Sequence, residues 1–159
     1  MSRDGCQIVA PTSHGVTALS RTMAQEEQEE LWAWAHLSPY RGLRWSIASS
    51  METFMFVSPH GEPLCIGGFS LVSILDKSAA FWLLTSEGLG GYARAFVCEN
   101  IKMQAGAMAQ YRYLFNYIGS WHRRSLRWAE WMGMTVHPAT VMGVEQRLWH
   151  KVDWRREDG

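Results

Sequence analysis

The chain has 159 residues, enough for one domain and too few for two ordinary ones. Apolar residues make up 47% of it and nine residues are tryptophan, so it can build a packed core, and disorder over most of its length is excluded. Its formal charge of zero argues against a general nucleic-acid or anionic-membrane binder and leaves room only for a local polyanion site.

Cys6, Cys65 and Cys98 lie far apart with no CxxC pair, so neither a zinc site nor a disulfide framework is expected. His14, His36, His60, His137 and His150 show no ligand spacing. No apolar run approaches a membrane span. The opening Met1-Ser2-Arg3-Asp4 lacks the apolar stretch of a signal peptide. These features predict a soluble protein made in the cytosol, staying there or packaged elsewhere.

In chain order, a short strand is predicted over Gln7 to Ala10, closed by Pro11. A helix follows from His14 to Met23, and a second from Glu26 to His36, where Leu31, Trp34 and Ala35 share a face. Glu26, Glu27, Glu29 and Glu30 suit the positive end of that helix, and Pro39 ends it. A hairpin pairs Glu52 to Val57 with Leu64 to Leu71 across the turn-rich segment 58–63; Gly67-Gly68 inside the second strand marks a bulge or a close backbone approach. Ala79 to Thr85, with Trp82 at its centre, reads as a central strand covered on both faces.

The turn Ser86-Glu87-Gly88-Leu89-Gly90-Gly91 leads into a helix from about Tyr92 to Ala109. Tyr111 to Ile118 is a further apolar strand, and Ser125 to Met132 a short helix closed by Gly133. Met134 to His137 and Gln146 to Val152 are the last strands, joined by a loop with Pro138 and Gly143. This order predicts a single α/β domain over 1–159, with a core over 7–152 and a frayed tail from Arg155 to Gly159.

A strand, a glycine-rich turn and a helix in succession form an anion cradle. Backbone N–H groups converge there, and the helix start adds about half a positive charge. Gly88, Gly90 and Gly91 equally suit an ordinary loop, and no GxxxxGK[ST] is present. Glu87, beside the turn, suits either a general base or a helix N-terminal carboxylate, and Ser86 either a hydrogen-bond donor or a cap. Arg123, Arg124 and Arg127 form a phosphate-binding patch, a solvated face, or a surface that contacts nucleic acid or a protein partner, the nucleic-acid reading being opposed by the zero net charge.

The segment His122-Arg123-Arg124-Ser125-Leu126-Arg127-Trp128-Ala129-Glu130-Trp131-Met132-Gly133-Met134 resembles the GNAT acetyltransferase pattern Asn-x-x-Ala followed by Gly-Phe. His122 stands at the asparagine, Ser125 at the small residue and Gly133 at the glycine. The resemblance runs from Gln7 to Val152 in element order and implies a GNAT (acyl-CoA N-acyltransferase) fold: a mixed, mostly antiparallel sheet flanked by helices. A narrower resemblance, to GNAT-like internal virion proteins and acetyltransferases of tailed bacteriophages, rests on 61–68, Phe81-Trp82-Leu83-Leu84-Thr85, 113–117 and 125–133.

The resemblance implies acetyl-CoA as donor. Amides of Gly90, Gly91, Tyr92 and Ala93 would hold its pyrophosphate, and Leu83 and Leu84 its pantetheine arm. His122 and Arg123 would sit at its phosphates, with Gly88 where the family has a basic residue. The family's general-acid tyrosine aligns with Ala129, so Tyr92, Tyr117 and Ser120 become the acid candidates. Two functions follow: an N-acetyltransferase acting on an amine of a host protein in the host cytoplasm, or a non-catalytic GNAT-fold protein inside the virion or bound to a host partner.

Overall fold

Capping chemistry sets the helix order at the start of the chain. A computed structural model describes residues 5–156; the four leading residues and the last three of the expected tail lie outside it. After β1 (Gln7–Val9), the Thr12 hydroxyl caps α1 (Ser13–Thr22) by accepting from the Gly15 N–H at 3.0 Å. The helix α2 (Gln25–Ala35) stops because His36 turns left-handed at φ 53°. The N–H groups of His36 and Leu37 then return to the carbonyls of Trp32 and Leu31.

Pro39, expected only to end α2, instead opens α3 (Pro39–Ala48), with Ser38 as its cap. Proline at the first helical position lacks an N–H that the helix would leave unpaired anyway. This third helix was absent from the sequence expectation.

The sheet has eight strands in the order β1-β2-β3-β4-β5-β8-β6, with β7 also on β8. Its middle members are β2 (Glu52–Val57), β3 (Pro63–Ser73), β4 (Ser78–Thr85) and β5 (Tyr113–Gly119). Among the described residues only β4 and β5 run parallel; the other pairs are antiparallel. Between them run a 3₁₀ helix, Glu87–Tyr92, and α4 (Ala93–Gln110).

After β5 come α5 (Arg123–Trp131), β6 (Thr135–Val136), β7 (Thr140–Met142) and β8 (Arg147–Arg155). β7 lies in what was expected to be a plain loop. Arg155, expected in a frayed tail, ends β8 opposite Tyr113.

Gly67 and Gly68 pair in register with Leu83 and Trp82 without a bulge. They mark close approach: a Cβ on Gly68 would stand 2.5 Å from the Glu52 carbonyl oxygen. Gly133 closes α5 at φ 84°, the left-handed position expected for it.

Side-chain alternation along β4 builds both faces of the core. Trp82 and Leu84 pack with Val16, Leu19 and Leu43 of α1 and α3. Phe81 packs with Ala107 and Ala129 of α4 and α5, and Leu83 with Ala95 and Phe96. The central strand is therefore covered on both sides, as its apolar run predicted.

Candidate active site

Parallel pairing of β4 with β5 stops early. Ser78, Ala79 and Ala80 face Tyr113, Leu114 and Phe115, and beyond Ala80 the two strands separate. The β4 edge from Phe81 onward thus has no strand partner on that side, and a wedge opens through the sheet. One cavity of about 240 Å³ lies on the α4–α5 face, walled by Thr85, Gly90, Ala93, Val97, Ser125 and Trp128. Another of about 390 Å³ lies on the α2–α3 face, walled by Trp34, Trp45, Trp82 and Trp149. Phe81, Leu83, Asn116, Tyr117 and Glu30 line both, so the two cavities share one wall at the wedge.

Two carboxylates of α2 point into this region. Glu27 and Glu30 are three residues apart and share a helix face. Glu27 is 3% exposed, and both its oxygens lie within reach of the Thr85 hydroxyl, at 2.8 and 2.7 Å. Burial pushes its pKa up to about 8, against the lowering influence of Thr85 and His122. The Glu30 carboxylate accepts the Gly119 N–H at 2.7 Å with one oxygen and faces His122 Nδ1 at 3.2 Å with the other.

His122 is 2% exposed, and its Nε2 stands 2.9 Å from the Ser125 hydroxyl. Burial by itself would lower the imidazole pKa. The Glu30 hydrogen bond and the charges of Glu30, Glu27 and Glu26 outweigh it and hold the pKa above the ordinary histidine value. An ionised carboxylate only accepts, so Nδ1 carries the proton toward Glu30.

The residues singled out in the sequence divide. Leu83, Gly90, Ala93, His122 and Tyr117 line the α4–α5 cavity; Leu84 lines the other, as does Tyr117, which stacks on Trp34 at 6.1 Å. Gly88, Gly91 and Tyr92 lie outside both walls, as do Ser86, Glu87 and Arg123. The Ser86 hydroxyl caps the 3₁₀ helix by accepting from the Gly88 N–H at 3.2 Å. Glu87 is exposed at that helix's start.

The turn expected as an open cradle is thus a 3₁₀ helix, whose geometry sends N–H groups to carbonyls three residues back. The helix α4 follows it without a gap at Ala93, and the Tyr92 cap position has no side-chain cap. His122, expected at the mouth, is enclosed in the wall, and Arg124 rather than Arg123 lines the cavity. Ser120 is half-buried outside both walls, and Ala129 is fully buried in the core.

Glu27, Glu30 and Thr85 were not anticipated, and Ser125 was noted only as a small residue. The available signal was phase. Glu27 and Glu30 fall on the same helical face as Leu31 and Trp34, the face that packs inward. Among the described residues, no three His, Cys, Asp or Glu side chains are grouped to hold a metal ion, and no helix is long and apolar enough to cross a membrane.

No family model matches the sequence, and no curated protein matches it. Solved structures do. Spermidine N-acetyltransferase from Vibrio cholerae, in complex with CoA and spermine, superposes with a TM-score of 0.67 at 8% identity, covering 95% of each chain. Ribosomal-protein-S5-alanine acetyltransferase from Vibrio fischeri gives 0.65 at 10% identity, over 99% of this chain and 97% of that one. A third chain, provisionally named an acetyltransferase, gives 0.74 at 9% identity, over 99% and 87%.

The chain has the GNAT fold.

At these identities the likeness fixes the scaffold and not the roles of side chains.

Proposed function

We propose that the chain is an N-acetyltransferase that takes an acetyl group from acetyl-CoA and passes it to an amine. The observation that carries this is the wedge between β4 and β5, which sets an apolar cavity at the α4 N-terminus back to back with an aromatic cavity on the opposite face. The donor's pantetheine arm suits the first, against Phe81, Leu83, Val97 and Trp128; Arg124 and the α4 N-terminus suit its phosphates. The donor supplies an acyl group activated as a thioester.

The second cavity suits a cationic amine. Trp34, Trp45, Trp82, Trp149 and Tyr117 line it, and an aromatic wall of this kind attracts an ammonium group. The amine must lose a proton before it attacks. Glu27, on the donor-side wall of the wedge, has a pKa pushed up to about 8, the base strength this step needs at neutral pH for an amine that reaches through the wedge. Direct transfer follows, because donor and acceptor meet across one wedge. The phage-protein resemblance suggests that the amine belongs to a host protein.

The fully buried Ala129, at the position of the family's tyrosine, favours a second reading: a GNAT-fold protein without transfer, held in a virion or bound to a host partner. Calorimetry with acetyl-CoA, followed by a thiol-release assay over a panel of amines, separates the two. We expect binding and amine-dependent thiol release. Binding with no release by any amine favours the second reading, and absence of binding sinks the proposal.

A further inference from the structure

With Ala129 unable to donate a proton, the departing thiolate needs another acid. The wall of the donor-side cavity holds three polar groups in a row. Ser125 Oγ lies 2.9 Å from His122 Nε2, and His122 Nδ1 lies 3.2 Å from a Glu30 oxygen. Glu30 is pinned by the Gly119 N–H at 2.7 Å, and the imidazole is 2% exposed, so the row is held from behind. Its open end is Ser125, which is half-buried and faces the cavity. Ser125 and Ala129 are four residues apart, on one face of α5.

We propose that Ser125, backed by His122 and Glu30, is the acid of the transfer reaction and replaces the tyrosine missing at 129. The proposal rests on the acetyl-transfer reading above.

The step balances. As the amine nitrogen bonds the carbonyl carbon and the C–S bond breaks, the electron pair stays on sulfur. Ser125 gives its hydroxyl proton to that sulfur and takes the Nε2 proton of the His122 imidazolium. His122 becomes neutral, and Glu30 keeps its charge and holds the Nδ1 proton. Forming the amide takes two protons from the ammonium: Glu27 takes the first before attack and returns it to solvent, and the nitrogen sheds the second to solvent after the C–N bond forms. One of the two is matched by the solvent proton that recharges His122, so the reaction releases one proton overall.

A row of this kind can also activate serine as a nucleophile. The charges around His122 favour the acid role. Glu30 stabilises its cationic form by hydrogen bond and charge, Glu26 adds to it, and Glu27 does so once it has lost its proton. Arg124 on its own helix and Tyr117 of β5 line the same cavity. A charged imidazole can donate at Nε2 and cannot take a proton from Ser125.

The test uses the full chain. Ser125→Ala is expected to lower turnover with acetyl-CoA by about a hundredfold and to leave acetyl-CoA affinity unchanged by calorimetry. With a small aryl thioester, whose thiol is acidic enough to leave unprotonated, the same variant is expected to match the parent. Ser125→Thr, which keeps a hydroxyl, is expected to restore most of the loss. The nitrogen NMR titration of His122 reads the row without turnover: its midpoint is expected to fall in Glu30→Gln. An equal defect of Ser125→Ala with both donors overturns the proposal, and so does an acetyl group found on Ser125 by intact mass. If the parent transfers nothing to any amine, the transfer reading fails first and this assignment fails with it.

Discussion

Glu27 illustrates how one buried carboxyl couples stability to chemistry. Its pKa is raised from 4.5 to about 8 in the fold. Between those values the unfolded chain has lost the proton while the folded one keeps it, so stability falls as pH rises. Glu27→Gln removes that dependence. We expect melting temperatures of parent and variant to converge near pH 4.5 and the variant to melt higher near pH 8. A parent curve that parallels the variant over that range would show that Glu27 does not titrate high. Under the proposed mechanism the same substitution lowers turnover by about a hundredfold and removes the limb of the pH–rate profile near pH 8. The carboxyls were visible in the sequence as a run of acidic residues at a helix start. What hid two of them was context, because an acidic run at that place already satisfies the helix dipole.

At the scale of the element, α3 decides how closed the acceptor side is. It contributes Trp45, 60% exposed, and Ser46 to the aromatic cavity. Its start depends on the Ser38 hydroxyl, which accepts from the Arg41 N–H at 3.3 Å. Ser38→Ala is expected to cost about 1 kcal/mol, read as a lower denaturant midpoint, and to raise the KM for the amine while acetyl-CoA affinity holds. An unchanged KM would detach α3 from acceptor binding. The Ser38-Pro39 pair carried this helix openly in the sequence, since a capping residue followed by proline is a start signal. Reading the proline only as the end of α2 concealed it. The 3₁₀ helix at Glu87–Tyr92 was less legible: three glycines permit either an open turn or a tight one, and packing against β3 selects between them.

For the whole molecule, the wedge predicts a measurable linkage. A ligand that binds only the folded chain stabilises it by about 2.7 kcal/mol at a hundred times its Kd. For a domain of this size that is a rise in melting temperature of several degrees, about 2–4 °C per kcal/mol. Acetyl-CoA in excess is expected to give such a rise, and a flat response would argue against a donor site in the wedge. By itself the sequence determined the order of strands and helices apart from α3 and β7, the doubly covered β4 and the left-handed Gly133, because each follows from local periodicity or a local backbone requirement. Only the tertiary structure decided the active constellation. Glu27 meets Thr85 across 58 positions and Glu30 meets His122 across 92. Contacts that distant leave no periodic trace, and the burial that raises the Glu27 pKa exists only once β4, β5 and α2 have closed around it.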